Sequence, residues 1–201
     1  MGGMTRAEQP KTRTRRSAAR LAADVAARLD RPLALVGLMG SGKSAVGRRL
    51  AGMLDLGFTD SDQQIVKTAG ISIAEIFELA GEVKFREMEF STLETIVSAK
   101  PQIIATGGGA FCQDRTSQLL RDSCLVVWLK ASPETLLARI GNTRSRTLLH
   151  TADPRAALAA LLDQRKHFYE KAHVHVDTDG LTTQRAVRAV LEMLDTVLAR
   201  Q

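Results

Sequence analysis

The sequence predicts an α/β fold, a parallel sheet covered by helices on both faces, and three observations predict it. Short apolar runs at 32–36, 102–105 and 124–129 alternate with segments of helical periodicity, the order that parallel winding requires. The first run passes directly into Gly37-Leu38-Met39-Gly40-Ser41-Gly42-Lys43-Ser44, a glycine-rich turn between a strand and a helix. A chain of 201 residues supplies one such domain with a substantial core, and is too short for two.

Residues 1–16 are polar, basic and aperiodic, and are expected to be disordered. Residues 17–29 are alanine-rich with Leu21, Val25 and Leu29 four apart, a helix for the domain edge that Pro32 is expected to end. After the strand at 32–36 and the glycine-rich turn, 45–54 reads as helix and Gly57-Phe58-Thr59 as a short strand running into Asp60-Ser61-Asp62. Helical patterns fill 63–69 and 72–99, with Gly81 breaking the longer one. The strand at 102–105 leads into Thr106-Gly107-Gly108-Gly109, and 124–129 is the most continuous apolar run of the chain. Helices begin at Pro133 and Pro154, since proline costs nothing in a first helical turn. Val174-His175-Val176 forms a last strand, and 182–199 a last helix with Val187, Val190, Leu191 and Leu194 on one face. The chain therefore divides into a basic extension, 1–31, and a single domain, 32–201.

The net charge of +6 looks like a nucleic-acid signal until it is located. Residues 1–31 carry eight basic side chains against three acidic ones, five of the six net charges, so the domain itself is nearly neutral and no nucleic-acid partner is expected. No apolar run approaches the ~20 residues of a membrane span. Cys112 and Cys124 lack metal-ligand spacing and suit free thiols in a reducing cytoplasm.

The turn at 37–44 has the spacing and context of a P-loop. Its glycines let backbone N–H groups face phosphate oxygens, and the following helix adds the positive end of its dipole. Lys43 can reach the β- and γ-phosphates, and the Ser44 hydroxyl can ligate Mg²⁺. In open parallel sheets ligands bind at the carboxyl ends of strands, a rule that gathers Lys43, Asp60, Asp62 and the triplet 107–109 along one edge. Asp60 and Asp62, two apart, can share one side of an extended backbone, one supporting a metal through water and the other orienting an acceptor hydroxyl. Alternatively Asp62 caps the helix from Gln63. Arg86 and Glu89 share one helix face, as a surface ion pair or as part of a site. The polar segment 141–153, with Arg144 and Arg146, has the composition of a lid that delivers an arginine to a phosphoryl group. Arg165 offers a planar fork for a carboxylate or simply a solvated helix face.

Together the loop 37–44, Asp60-Ser61-Asp62, the run Gly81-Glu82 to Phe85-Arg86 and Glu89, the triplet 107–109, Arg146 with Leu148-Leu149, and Arg165 with Tyr169 resemble the shikimate kinase family over about 33–194. The resemblance implies a nucleoside-monophosphate-kinase-like P-loop fold with five parallel strands in the order 2-3-1-4-5, flanked by helices, with a lid. It implies transfer of the ATP γ-phosphoryl group to the 3-hydroxyl of shikimate by a monomer. By the same resemblance Gly40, Ser41, Gly42, Lys43, Ser44 and Ala45 hold the ATP phosphates, Ser44 and Asp60 serve Mg²⁺, and Arg139 stacks on adenine. Asp62 binds the ring hydroxyls and is the base, Arg86 and Arg165 grip the carboxylate beside Gly107, Gly108 and Gly109, Glu89 holds Arg86, and Arg146 neutralises charge with Lys43. Thr147 stands where the family has proline, and the loop Asp177-Thr178-Asp179-Gly180 has no obvious basic partner for adenine. The rival readings are a gluconate kinase-like enzyme of the same fold and a non-catalytic nucleotide-binding domain.

Overall fold

The computed structural model describes residues 16–141, 149 and 151–200. Residues 1–15 of the predicted disordered start, and Arg144, Arg146 and Thr147 of the predicted lid, lie outside the described residues, whereas Arg16 is held by Asp24 and Asp195. Five strands, β1 (Leu33–Val36), β2 (Gly57–Asp60), β3 (Gln102–Ala105), β4 (Leu125–Lys130) and β5 (Val174–Asp177), form one sheet in the order β2-β3-β1-β4-β5. All pairs are parallel, with Leu33 beside Ile103 on one flank and beside Leu125 on the other. This is the order that the resemblance implied.

Alternation along each strand divides the core into two layers. Leu33, Leu35, Ile103, Leu125, Val127, Leu129, Val174 and Val176 face helices α1 (Ala18–Ala26), α2 (Lys43–Leu54) and α8 (Thr183–Leu198). Ala34, Val36, Ile104, Val126 and Trp128 face the other layer. That layer is made by α4 (Ile73–Val97), α5 (Asp114–Ser123), α6 (Pro133–Ile140) and α7 (Pro154–Tyr169). The central strand β1 is buried at every position, whereas the edge strand β5 alternates buried and exposed, as a sheet with two covered faces requires. A small third cluster, Ile65, Ile76 and Phe85, joins α3 (Ser61–Ala69) to α4.

Three boundaries differ from the sequence reading for local reasons. The first helix ends at Ala26, with Ala27 as its C-cap, so Pro32 lies well past its end and does not terminate it. Leu29 is nevertheless buried in the core layer with Leu21, Ala22 and Val25. Helix α2 starts two residues early, at Lys43, because Gly42 takes the N-cap in a left-handed conformation. Helix α3 starts at Ser61 because the Asp60 carboxylate accepts from the Gln63 amide at 3.3 Å. The capping residue is therefore Asp60 and not Asp62. Gly81 does break α4, at φ 76 and ψ 176, which a residue with a side chain rarely adopts. No described helix is long and apolar enough to cross a membrane.

Candidate active site

The carboxyl ends of all five strands converge on one edge. The glycine-rich loop follows β1, Asp60 ends β2, the glycine triplet follows β3, α6 with Arg139 follows β4, and the loop 178–181 follows β5. Between them lies a cleft of about 670 Å³ that reaches from Lys43 and Ser44 past Asp60 and Asp62 to Arg139 and Leu181. That volume is in the range of small-molecule sites.

The loop is shaped by its backbone. Gly40 has φ 80, and a Cβ there would meet the Leu136 carbonyl oxygen at 2.7 Å, so both conformation and space demand glycine. The Lys43 ammonium donates to the Gly37 and Leu38 carbonyls at 2.8 and 2.9 Å, which holds its charge at the head of α2. Ser44 donates its hydroxyl proton to Asp60 Oδ2 at 2.7 Å. Two hard oxygens from separate elements thus sit together in the cleft, a donor set that fits Mg²⁺ completed by water and phosphate. Asp60 divides its work, one oxygen on Ser44 and the other on the helix cap.

Asp62 does not share an extended backbone with Asp60, since the chain turns helical at Ser61; it nonetheless lines the same cleft. Its Oδ1 and the Glu89 Oε1 each come within 2.7 Å of where a Gly107 Cβ would stand, so both carboxyls close on the same glycine. Glu89 is 1% exposed. Its Oε2 accepts from Arg86 Nη1 at 2.7 Å, while Oε1 has no hydrogen-bond partner among the described residues. Burial pushes the Glu89 carboxyl above its ordinary range, the Arg86 charge pulls it back, and Asp62 adds to the rise. Arg86 is also partly buried, which alone would lower its pKa, but the charges and hydrogen bonds of Glu89 and Glu82 together leave it raised. The pair is asymmetric because Arg86 keeps some contact with water and Glu89 keeps almost none. Glu82 holds the other side of the guanidinium through Nε and Nη2 at 3.3 and 3.1 Å. The pair read from sequence as a possible surface contact is therefore built into a wall.

The glycine triplet works differently from the sequence reading. The Gly107 N–H is spent on the buried Ser61 hydroxyl at 3.2 Å, so this amide is not available to a ligand. Gly108 presents its carbonyl, which accepts from Arg165 Nη1 at 3.2 Å and from the Tyr169 hydroxyl at 2.5 Å. A Cβ on Gly109 would lie 2.8 Å from Arg86 Nη2, so the missing side chain lets Arg86 lie against the loop. The charges of Arg86 and Arg165 both act on the half-buried Cys112 thiol, where burial nevertheless raises the pKa. Cys124, away from the site, is pushed up to about 12 by burial. Both cysteines are free thiols.

Arg139 is held by the last loop. Its guanidinium donates to the Thr178 carbonyl at 2.6 Å, the Thr178 hydroxyl at 3.0 Å, the Leu181 carbonyl at 3.2 Å and the Ser41 carbonyl at 3.4 Å. Anchored at four points, it ties the loop after β5 to the glycine-rich loop. Sequence reasoning missed Thr178, Ser61 and the hydroxyl of Tyr169. For Thr178 and Ser61 no spacing signal exists; Tyr169 was visible only as the end of a motif.

Residues 39–195 match the family model described as Shikimate kinase. The chain belongs to the shikimate kinase family. A shikimate kinase of Caulobacter vibrioides is 41% identical over 171 residues, 85% of this chain and 86% of that protein. A shikimate kinase of Nitrobacter winogradskyi is 39% identical over 176 residues, covering 88% and 82%. Among solved structures, the shikimate kinase from Acinetobacter baumannii in complex with shikimate superposes with a TM-score of 0.78 at 36% identity, covering 89% of this chain and 98% of that one. A gluconokinase from Sinorhizobium meliloti, at 19% identity and a TM-score of 0.58, shares the fold alone.

Proposed function

We propose that this chain transfers the γ-phosphoryl group of ATP to the 3-hydroxyl of shikimate, giving shikimate 3-phosphate and ADP. The observation that carries the reading is one shared edge: Lys43 and the glycine-rich loop lie at one end, and Asp62, Arg86 and Arg165 gather around Gly107–Gly109 beside it. An anionic donor held by main chain thus faces a wall suited to a small polyhydroxylated carboxylate.

In this reading residues 40–45 hold the phosphates, and Lys43 leaves the Gly37 and Leu38 carbonyls to follow the β- and γ-phosphates. Ser44 and Asp60 hold Mg²⁺, which when bound neutralises charge on the phosphates. Arg139, fixed in one plane, offers its face to adenine. Arg86, held between Glu82 and Glu89, and Arg165 bind the shikimate carboxylate. Asp62 orients the 3-hydroxyl and takes its proton as the new O–P bond forms and the bond to the ADP oxygen breaks. Arg146 is assigned to the transferring group by the family motif alone. Because the transition state is loose, positioning and charge neutralisation carry most of the acceleration, and the proton transfer contributes late. The protein works as a cytoplasmic monomer, and its free thiols support a reducing compartment.

A coupled assay of ADP release tests the reading with shikimate and gluconate side by side. Turnover that depends on shikimate and ignores gluconate is expected. Stimulation by gluconate alone, or by neither, overturns it.

A further inference from the structure

We propose that the Tyr169 hydroxyl is a positioning group for the acceptor site, fixing the Gly108 carbonyl as the anchor from which Arg165 meets the shikimate carboxylate. The proposal rests on the function assigned above and extends it to a neutral, buried residue.

Tyr169 is the last residue of α7, wholly buried, and one helical turn beyond Arg165, so both side chains leave the same face. Both donate to a single atom, the Gly108 carbonyl oxygen, at 2.5 Å from the tyrosine hydroxyl and 3.2 Å from Arg165 Nη1. A carbonyl oxygen has two lone pairs, and these two donors use both. The short bond sets where the oxygen stands. The long bond uses only one of the five N–H groups that the Arg165 fork carries.

The hydroxyl is well placed to serve as a fixed point. The Tyr169 ring stacks on Trp128 of β4 with centroids 5.6 Å apart, and His175 of β5 meets Trp128 edge-on at 5.3 Å. The anchor is therefore tied to the sheet through rigid rings and not through a flexible stem. Gly108 in turn lies against the glycine-rich loop: a Cβ there would stand 3.3 Å from the Met39 amide nitrogen. One residue thus touches the phosphate-holding loop on one side and the carboxylate clamp on the other. Phenylalanine would fill the same space without the cost of burying a hydroxyl, so the hydroxyl is explained by what it bonds. Burial raises its pKa, which keeps it a neutral donor. The Cys112 thiol and the Arg165 guanidinium also lie within reach of the hydroxyl.

The test compares Tyr169→Phe with Trp128→Phe, which disturbs the same stack but leaves the hydroxyl. Tyr169→Phe is expected to raise the shikimate KM about three- to tenfold, the value of one buried hydrogen bond, with the ATP KM unchanged. Trp128→Phe is expected to lower the thermal midpoint while leaving the shikimate KM alone. An unchanged shikimate KM in Tyr169→Phe, or an equal rise in both variants, overturns the inference while the function stands. Absence of shikimate-dependent ADP release in the unaltered protein overturns the function itself. Trp128, the sole tryptophan, gives a readout that needs no variant. Shikimate should shift its emission through Arg165, Gly108 and Tyr169, and a spectrum that shikimate leaves untouched counts against the linkage.

Discussion

The two halves of the cleft are built from different materials. The nucleotide half is main chain: eight consecutive residues running from the end of β1 into the first turn of α2, bent by glycines, with Lys43 resting on carbonyls of its own loop. The acceptor half is side chain: Asp62 from α3, Glu82, Arg86 and Glu89 from α4, and Arg165 and Tyr169 from α7, meeting around a glycine triplet after β3. A loop of backbone amides accepts any triphosphate and is nearly self-contained. In the proposed function a wall of charged side chains selects one acceptor, and it depends on three separate helices being in register.

That contrast sets the order of expected effects. Lys43→Met removes the ammonium charge at the head of α2 and should reduce kcat about a thousandfold, since a preorganised donor aimed at developing charge is worth that much. Single-turnover measurements check it, and near-normal turnover would show that the amides suffice alone. Arg86→Ala should cut kcat/KM for shikimate about ten- to a hundredfold, the worth of a charge-assisted hydrogen bond, with ATP binding unchanged. If ATP binding falls as well, the halves are not separable as drawn.

Glu89→Gln sharpens the comparison inside the acceptor wall. The folded-state pKa of Glu89 lies above its unfolded value, so ionising it costs the native protein stability as pH rises through the folded pKa. The amide cannot ionise. Below the unfolded pKa the variant and the parent should melt alike, and above the folded pKa the variant should be the more stable. Its shikimate KM should rise at the same time, because Arg86 loses its charged partner. Melting curves across pH 4–8 check the sign; a variant that is less stable at neutral pH shows that the ion pair repays its burial. Smallest of all, removal of residues 1–15 should leave both sets of kinetic constants unchanged. The cut stops there because Arg16 pairs with Asp24 and Asp195, tying the start of α1 to α8.

The same contrast explains what could be read from the sequence. Strand runs, the glycine-rich turn and the proline-started helices depend on neighbours in the chain, so 32–44, Pro133 and Pro154 announced themselves. The strand order and the roles of Arg86, Arg139 and Arg165 came only with the family resemblance, because each depends on contacts far along the chain. Arg139 meets Thr178 thirty-nine residues later. Asp60 and Asp62 show the middle case. Their presence in the cleft was legible, but which one caps α3 was decided by where the strand stops, and that is set by pairing with β3. The glycine triplet suggested free amides, whereas packing turned Gly107 inward to Ser61 and left a carbonyl to do the work at Gly108.

The kink at Gly81 has a further reach. Helix α3 and both sides of the kink in α4 share a private apolar cluster of Ile65, Ile76 and Phe85, separate from both layers of the sheet, and Leu79 and Val83 stand open to water on either side of the kink. A segment that brings its own small core can be exchanged as a cassette. Grafting residues 61–85 from a relative would then exchange the surroundings of Asp62 and Glu82 while Arg86, Arg165, the strands and the phosphate-binding turn keep their present form.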